Sequence, residues 1–212
     1  MAKEKKDTTQ QSWKKKTWYQ IYSRKSFNEV LVGESLAADP TELIGKTLGV
    51  NLMTLSGDIK KQHVTVTFKI AEFKDNKLYA DPIALKTSHS AIKRQVRRGR
   101  DRLDDSFSVQ TKDGVTLRVK PLMITKTNTN NSVLKLVRKA CNQALTAYVK
   151  KADVETVFKD AITFRIHSAV RGAVNKIYPL RSYELKYLGL DTHSKVSEQE
   201  APAVITEEAA AQ

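Results

Sequence analysis

The chain has 212 residues, 40% of them hydrophobic, with 37 Lys and Arg against 23 Asp and Glu, a net charge of +14. That size and apolar content allow the core of one large domain or two small ones. No apolar run approaches the ~20 residues of a membrane span, and the lone Cys141 excludes an internal disulfide and a cysteine-built metal cluster.

An excess of this size repels itself in a compact fold and calls for a polyanionic partner, nucleic acid or an anionic membrane. It is uneven. Residues 1–190 hold 36 bases against 18 acids, a net of +18, whereas residues 191–212 set Lys195 against Asp191, Glu198, Glu200, Glu207 and Glu208, a net of −4. Residues 1–16 have no hydrophobic period and end on Lys14-Lys15-Lys16, so they read as a solvated basic arm. They lack the apolar stretch of a signal peptide. A single cysteine suits a reducing cytosol, and there the Asn130-Asn131-Ser132 sequon is expected to stay unglycosylated.

Order is expected from Trp18-Tyr19, and residues 18–124 read mainly as strands. Val30 to Val32 is short. Asp39 to Gly45 reads as one helical turn, with Asp39 as cap and Pro40 in the first turn. Val50 to Leu55 reads as a strand. HVTVTFKI (63–70) alternates cleanly, with Val64, Val66, Phe68 and Ile70 on one face, and the phase shifts by Phe73, as at a bulge. Asp75-Asn76 marks a turn, followed by short strands at Leu78-Tyr79 and Ile83 to Leu85. The segment from Ser90 to Arg102 reads as a helix capped by Ser90, with Ile92, Val96 and Leu103 inward. In FSVQTKDGVTLRV (107–119), a three-residue loop, Lys112-Asp113-Gly114, pairs Phe107 with Val119 and Val109 with Leu117. A two-residue loop would mix the faces. Arg118 and Lys120 then point outward together.

Residues 132–178 read as helices. Ser132 caps the first, which buries Leu134, Val137, Cys141 and Tyr148 and turns Lys135, Lys139 and Asn142 away. Asp153 caps a second. A third runs from Arg165 to Tyr178, with Ile166, Val170, Ala173 and Ile177 inward, and Pro179 stops it. Tyr183, Leu185 and Tyr187 alternate in a returning strand at 183–188. The expected fold is α+β: a barrel-like, mostly antiparallel β core from residues 18–124 and the late strand, with the C-terminal-half helices packed on it. The globular domain spans 17–190, and 191–212 is an acidic tail.

Catalytic and metal patterns are missing. Gly45-Lys46-Thr47 ends like a phosphate-binding loop, but the required earlier glycine is Pro40, whose missing amide cannot cradle phosphate. His63, His89, His167 and His193 are scattered, with no pair three or four apart, so no metal and no cofactor is expected. Cys141 sits on an apolar helical stripe, where packing outweighs nucleophilic chemistry.

The basic residues carry the positive reading. Lys93, Arg94, Arg97, Arg98, Arg100 and Arg102 crowd ten positions, offset only by Asp101. Five of the six are Arg, which grips phosphate bidentately, and Gly99 lets backbone approach a partner closely. SWKKKTWYQIYSRKSF (12–27) interleaves Trp13, Trp18, Tyr19, Tyr22 and Phe27 with Lys14, Lys15, Lys16, Arg24 and Lys25, a pattern that suits RNA bases and equally suits sheet aromatics behind a basic arm. Arg118 and Lys120 on the hairpin, and Lys126 in the KTNTNN stretch (126–131), complete the candidate RNA-binding set. The bases are spread over several elements, as in a protein embedded in folded RNA.

Trp18-Tyr19, I-G-K-T-L (44–48), T-K-D-G-V-T-L-R-V (111–119), I-T-K-T-N (124–128) and I-Y-P-L-R (177–181), in this order and spacing, resemble the small-subunit ribosomal protein family S-three-a, most nearly its short archaeal form. The resemblance covers about residues 12–190. It implies a structural ribosomal protein of the small-subunit platform near the messenger exit, with a barrel-like core and no catalytic site. It implies contacts with neighbouring ribosomal proteins. Small-subunit rRNA is the expected main partner, with messenger RNA near the exit a further candidate, in the cytoplasm; no membrane and no homo-oligomer are expected. The acidic tail departs from the family pattern. The alternatives are a free RNA-binding protein or RNA chaperone and, from another class, an enzyme on an anionic substrate.

Overall fold

The computed structural model describes residues 16–24, 29–74 and 77–191. Lys14, Lys15, Lys25, Trp13, Phe27, the Asp75-Asn76 turn and the acidic tail beyond Asp191 lie outside the described residues.

Among the described residues nine strands form one sheet: β1 (Thr17–Ser23), β2 (Leu31–Ala37), β3 (Thr47–Asn51), β4 (Val64–Lys74), β5 (Lys77–Thr87), β6 (Arg102–Asp104), β7 (Phe107–Gln110), β8 (Thr116–Thr125) and β9 (Leu180–Leu190). The helices are α1 (Leu52–Ser56), α2 (His89–Gln95), α3 (Asn131–Val149), α4 (Val154–Ile162) and α5 (Arg165–Asn175). The path runs β2-β1-β5-β9-β8-β6, with β4 and β3 along the other edge of β5 and β7 beside β8. Among the described residues only the β1–β5 pairing is parallel. The α+β class holds. The sheet is not closed, so the barrel-like part of the expectation is not confirmed.

The alternation in 63–70 sets the core. Val64, Val66, Phe68 and Ile70 are buried, while Thr65 and Lys69 are exposed. Fully burying Phe68 contributes ~1.5–3 kcal/mol. The expected phase shift is present, at a bulge between Ile70 and Glu72. The two short strands expected after the turn are one strand, β5. Pro82 interrupts its alternation but sits at a second β4–β5 irregularity, where a missing amide is tolerated. The hairpin has the expected register, Phe107 with Val119 and Val109 with Leu117, and Gly114 at φ 75° supplies the left-handed residue.

Several expectations need correction. The expected strand from Val50 to Leu55 stops at Asn51, the end of β3: the Asn51 carboxamide accepts from Met53 N at 3.0 Å and caps α1, which takes Leu52 to Leu55. The 90–102 helix starts earlier, after Ser88, and ends at Gln95. Val96 turns extended, Gly99 adopts φ 76°, and Arg102 pairs with Ile124. The like-charge rows that a continuous helix would stack are thereby avoided. Asn130, not Ser132, precedes α3. Asp153 does stand before α4, but the Val154 N–H donates to Asp113 of the hairpin loop at 2.9 Å. The third helix, α5, ends at Asn175 rather than Tyr178, and Val174 is buried in it, whereas Ala173 and, beyond the helix, Ile177 are exposed. Asn142 is not on a free face, because it donates to Asp105 at 2.7 Å.

Val137, Cys141, Leu145 and Val149 of α3 join Ile166, Val170 and Val174 of α5 in one core with Val119, Met123, Tyr183 and Leu185. The long helices therefore cover one face of β8–β9. On the other face, Leu122 and Ile124 are buried but stand outside that core, as do Ala91 and Ile92 of α2. Gln95 at the end of α2 hydrogen-bonds Glu184, the ladder partner of Leu122. So α2 covers one end of the opposite face and leaves the remainder open.

Candidate nucleic-acid interface

The open face is built by register. Across the sheet, Asn51 pairs with Thr65, Thr65 with Lys86, Lys86 with Tyr187, and Tyr187 with Lys120. One step along, Gly49 pairs with Thr67, Thr67 with Ala84, Ala84 with Gly189, Gly189 with Arg118, and Arg118 with Ser108. Directly opposite residues share a face. Side chains two apart on a regular strand also share one, so Lys120 and Arg118 lie on the same side of β8 as Leu122, the side that α2 covers. The basic segment and the two hairpin cations thus occupy one side of the molecule, and the long helices occupy the other.

Beyond α2 the basic run is held by Asp101, the one acid among residues 93–102. Asp101 Oδ2 accepts from Thr129 N at 2.7 Å, Asp101 N donates to Thr125 Oγ1 at 2.9 Å, and Asp101 O accepts from Thr125 N at 3.0 Å. The KTNTNN stretch is therefore a brace: Thr127 Oγ1 and the Tyr178 hydroxyl are 2.6 Å apart, and Lys126 N donates to Pro179 O.

The predicted site residues fall into two groups. Lys93, Arg94, Arg97 and Arg98 are exposed, and no carboxylate pairs with them among the described residues. Arg118, Lys126 and Lys16 are also exposed. The other group is engaged internally. Arg24 lies 2.6 Å from Asp81 and 3.6 Å from Glu72. Arg102 pairs with Asp104. Arg100 is half-buried, and its Nη1 has no hydrogen-bond partner among the described residues. Lys120 sits with Nζ 5.3 Å from the centroid of the Tyr187 ring. Of the N-terminal aromatics, Tyr19 packs edge-on against Phe73 at 6.0 Å, Tyr22 lies under Lys77, and Trp18 is 68% exposed.

Sequence reasoning missed Lys86 and Tyr187. Tyr187 reads as inward because it alternates with Tyr183 and Leu185. A bulge in β9 opposite Lys120 and Pro121 adds Lys186, so Leu188 turns into the core and Tyr187 turns out. Lys86 stands alone in the sequence and joins Lys120 only through the ladder.

His167, packed between Phe164 and Tyr183 at 4.6 and 5.8 Å, accepts from Leu185 N at 3.2 Å. Burial pulls its pKa down to about 4. Burial likewise pushes the Cys141 thiol up to about 12. Among the described residues no group of three His, Cys, Asp or Glu side chains could hold a metal ion, and no helix is long and apolar enough to cross a membrane.

The Ribosomal S3Ae family model matches residues 3–188. The protein called "Small ribosomal subunit protein eS1" in Methanoculleus marisnigri is 29% identical over 175 residues, 82% of this chain and 89% of that relative. Its namesake in Methanothermobacter thermautotrophicus is 30% identical over 185 residues, 87% of this chain and 95% of the relative. That of Saccharolobus islandicus is 30% identical over 179 residues, 84% and 86% of the two chains.

Proposed function

Because the chain belongs to the Ribosomal S3Ae family, we propose that it works as a structural, non-catalytic component of the small ribosomal subunit, gripping rRNA through the side of the sheet that carries α2. The observation that carries the rRNA reading is the contrast among the cations. Arg24 and Arg102 have carboxylate partners, while Lys93, Arg94, Arg97 and Arg98 are exposed without them among the described residues. Phosphates complete the second set, and released counterions drive the association. Arg118, Lys120 and Lys126 extend the same surface. Lys14, Lys15, Lys16 and Lys25 add an N-terminal grip, with Arg24 joining where RNA displaces its carboxylates, and Arg100 and Arg102 support the segment from behind. The family resemblance adds a position on the platform near the messenger exit of the cytoplasmic ribosome, beside other ribosomal proteins, as a single copy.

The test is the salt dependence of binding to small-subunit rRNA. Replacing Arg94, Arg97 and Arg98 with Ala is expected to weaken binding and to flatten log K against log salt by ~0.7–0.9 for each phosphate no longer neutralised. An unchanged slope would remove this segment from the interface.

A further inference from the structure

We propose that Tyr187 is a stacking platform for one unpaired RNA base on the open face of the sheet. The inference rests on the rRNA-binding reading and adds to it an interaction that is not electrostatic.

Three observations converge. The bulge that turns Tyr187 out of the core places a partly exposed ring where the sheet is otherwise lined by small residues, Ala84 and Gly189. The ring lies down along its strand. A Cβ built on Gly189 would meet the Tyr187 oxygen at 2.6 Å and its Cζ at 2.8 Å, so only glycine leaves room for the tip of the ring there. The ring also has cations on both sides. Lys120 faces it from β8 with Nζ 5.3 Å from the centroid, and Lys86 is its ladder partner on β5. Arg118 follows one step along, opposite Gly189.

An aromatic ring leaning along its strand between cations matches the chemistry of single-stranded RNA. The base stacks on the π-face while the flanking phosphates take the charges. A duplex offers no open base face, so the occupant is an unpaired nucleotide. Lys120 now covers the ring by cation–π attraction. When a base arrives, the flexible ammonium swings from the ring to a phosphate and keeps a partner throughout. An aliphatic side chain at position 187 would cover the sheet equally well but would give a base nothing to stack on.

The experiment compares two RNA 12-mers of equal charge, oligoadenylate and its abasic ribose-phosphate counterpart, binding to the full chain in moderate salt. The wild type is expected to prefer the base-bearing strand by roughly tenfold, the range one stacked base supplies. Tyr187→Ala should abolish that preference while leaving the salt slope intact, and Tyr187→Phe should retain it. Gly189→Ala provides a second route, because its methyl pushes the ring off the sheet and should reduce the preference with Tyr187 unchanged. Equal binding of the two strands by wild type, or a preference that survives Tyr187→Ala in a folded variant, overturns the platform but leaves the phosphate grip standing. If wild type binds neither 12-mer nor rRNA, the underlying reading falls, and the platform with it.

Discussion

His167 should make the stability of the protein depend on pH. Its imidazole lies between Phe164 and Tyr183, and its Nε2 accepts from the Leu185 amide at 3.2 Å. That bond requires the neutral ring, with its proton on Nδ1, which has no partner among the described residues. Burial, with a smaller contribution from nearby His63, lowers the pKa from 6.5 to about 4. Between these values the unfolded chain binds the proton and the folded chain does not. Stability is therefore fully present above pH 6.5 and is lost as pH falls toward 4. The loss between pH 7 and pH 5 is ~2 kcal/mol, from ~1.36 kcal/mol per unit of pKa difference. Urea unfolding of wild type and His167→Gln at the two pH values measures it. Gln can still accept from Leu185 but does not titrate, so its stability should change less across this range, by that amount. Parallel pH dependence in the two proteins would refute the argument.

Ile92→Ala should loosen α2 at a cost of ~2–5 kcal/mol in its packing and weaken rRNA binding without altering any charge, as a filter-binding titration with a circular-dichroism control would show. Gly114→Ala should lower stability by ~1–2 kcal/mol at unchanged RNA affinity: its Cβ meets nothing within 4 Å, so the cost lies in the φ of 75° alone. Cys141, buried with its thiol pushed up to about 12, should react with iodoacetamide only as fast as the protein unfolds, a rate readable by mass spectrometry.

These residues also show what the sequence could and could not say. The hairpin was legible because its register is a local problem: three loop residues and two matched faces admit one solution, and Gly114 agrees with it. The stripe of α3 was legible in part: Val137 and Cys141 are buried as read, whereas Leu134 and Tyr148 are only half-buried and Leu145 and Val149 complete the buried row. What failed depended on events that leave little trace in a single strand. Nothing in YELKYLGL signals that Lys186 is an extra residue, because the bulge is defined against Lys120 and Pro121, more than sixty positions earlier. One such residue inverts everything after it, and so a tyrosine that reads as core stands on the open face. The cap of α4 is similar. Asp153 occupies the expected position, yet the oxygen that accepts from Val154 belongs to Asp113, brought there by the hairpin. The basic run was legible as a charge footprint but not as a conformation. Helix propensity extends it past Gln95, while pairing of Arg102 with Ile124 pulls it into the sheet.

That competition gives Asp101 a role that its charge conceals. By charge alone, the one acid among six bases opposes RNA, and Asp101→Ala should tighten binding. The geometry predicts the reverse. The carboxylate holds Thr129 N at 2.7 Å, tying residues 97–100 to the loop before α3, while its backbone is paired with Thr125. Removing the carboxylate forfeits a hydrogen bond to a charged group, worth ~1.5–3 kcal/mol, and leaves the Thr129 amide without that acceptor. The cations on the loosened segment must then be ordered on binding, which costs affinity. Asp101→Asn separates the two effects, because its carboxamide oxygen can still accept from Thr129 while the charge is gone. Asn should bind rRNA at least as tightly as wild type, and Ala more weakly, despite their identical net charge. If both variants tighten binding equally, the segment needs no brace and Asp101 acts on RNA through charge alone.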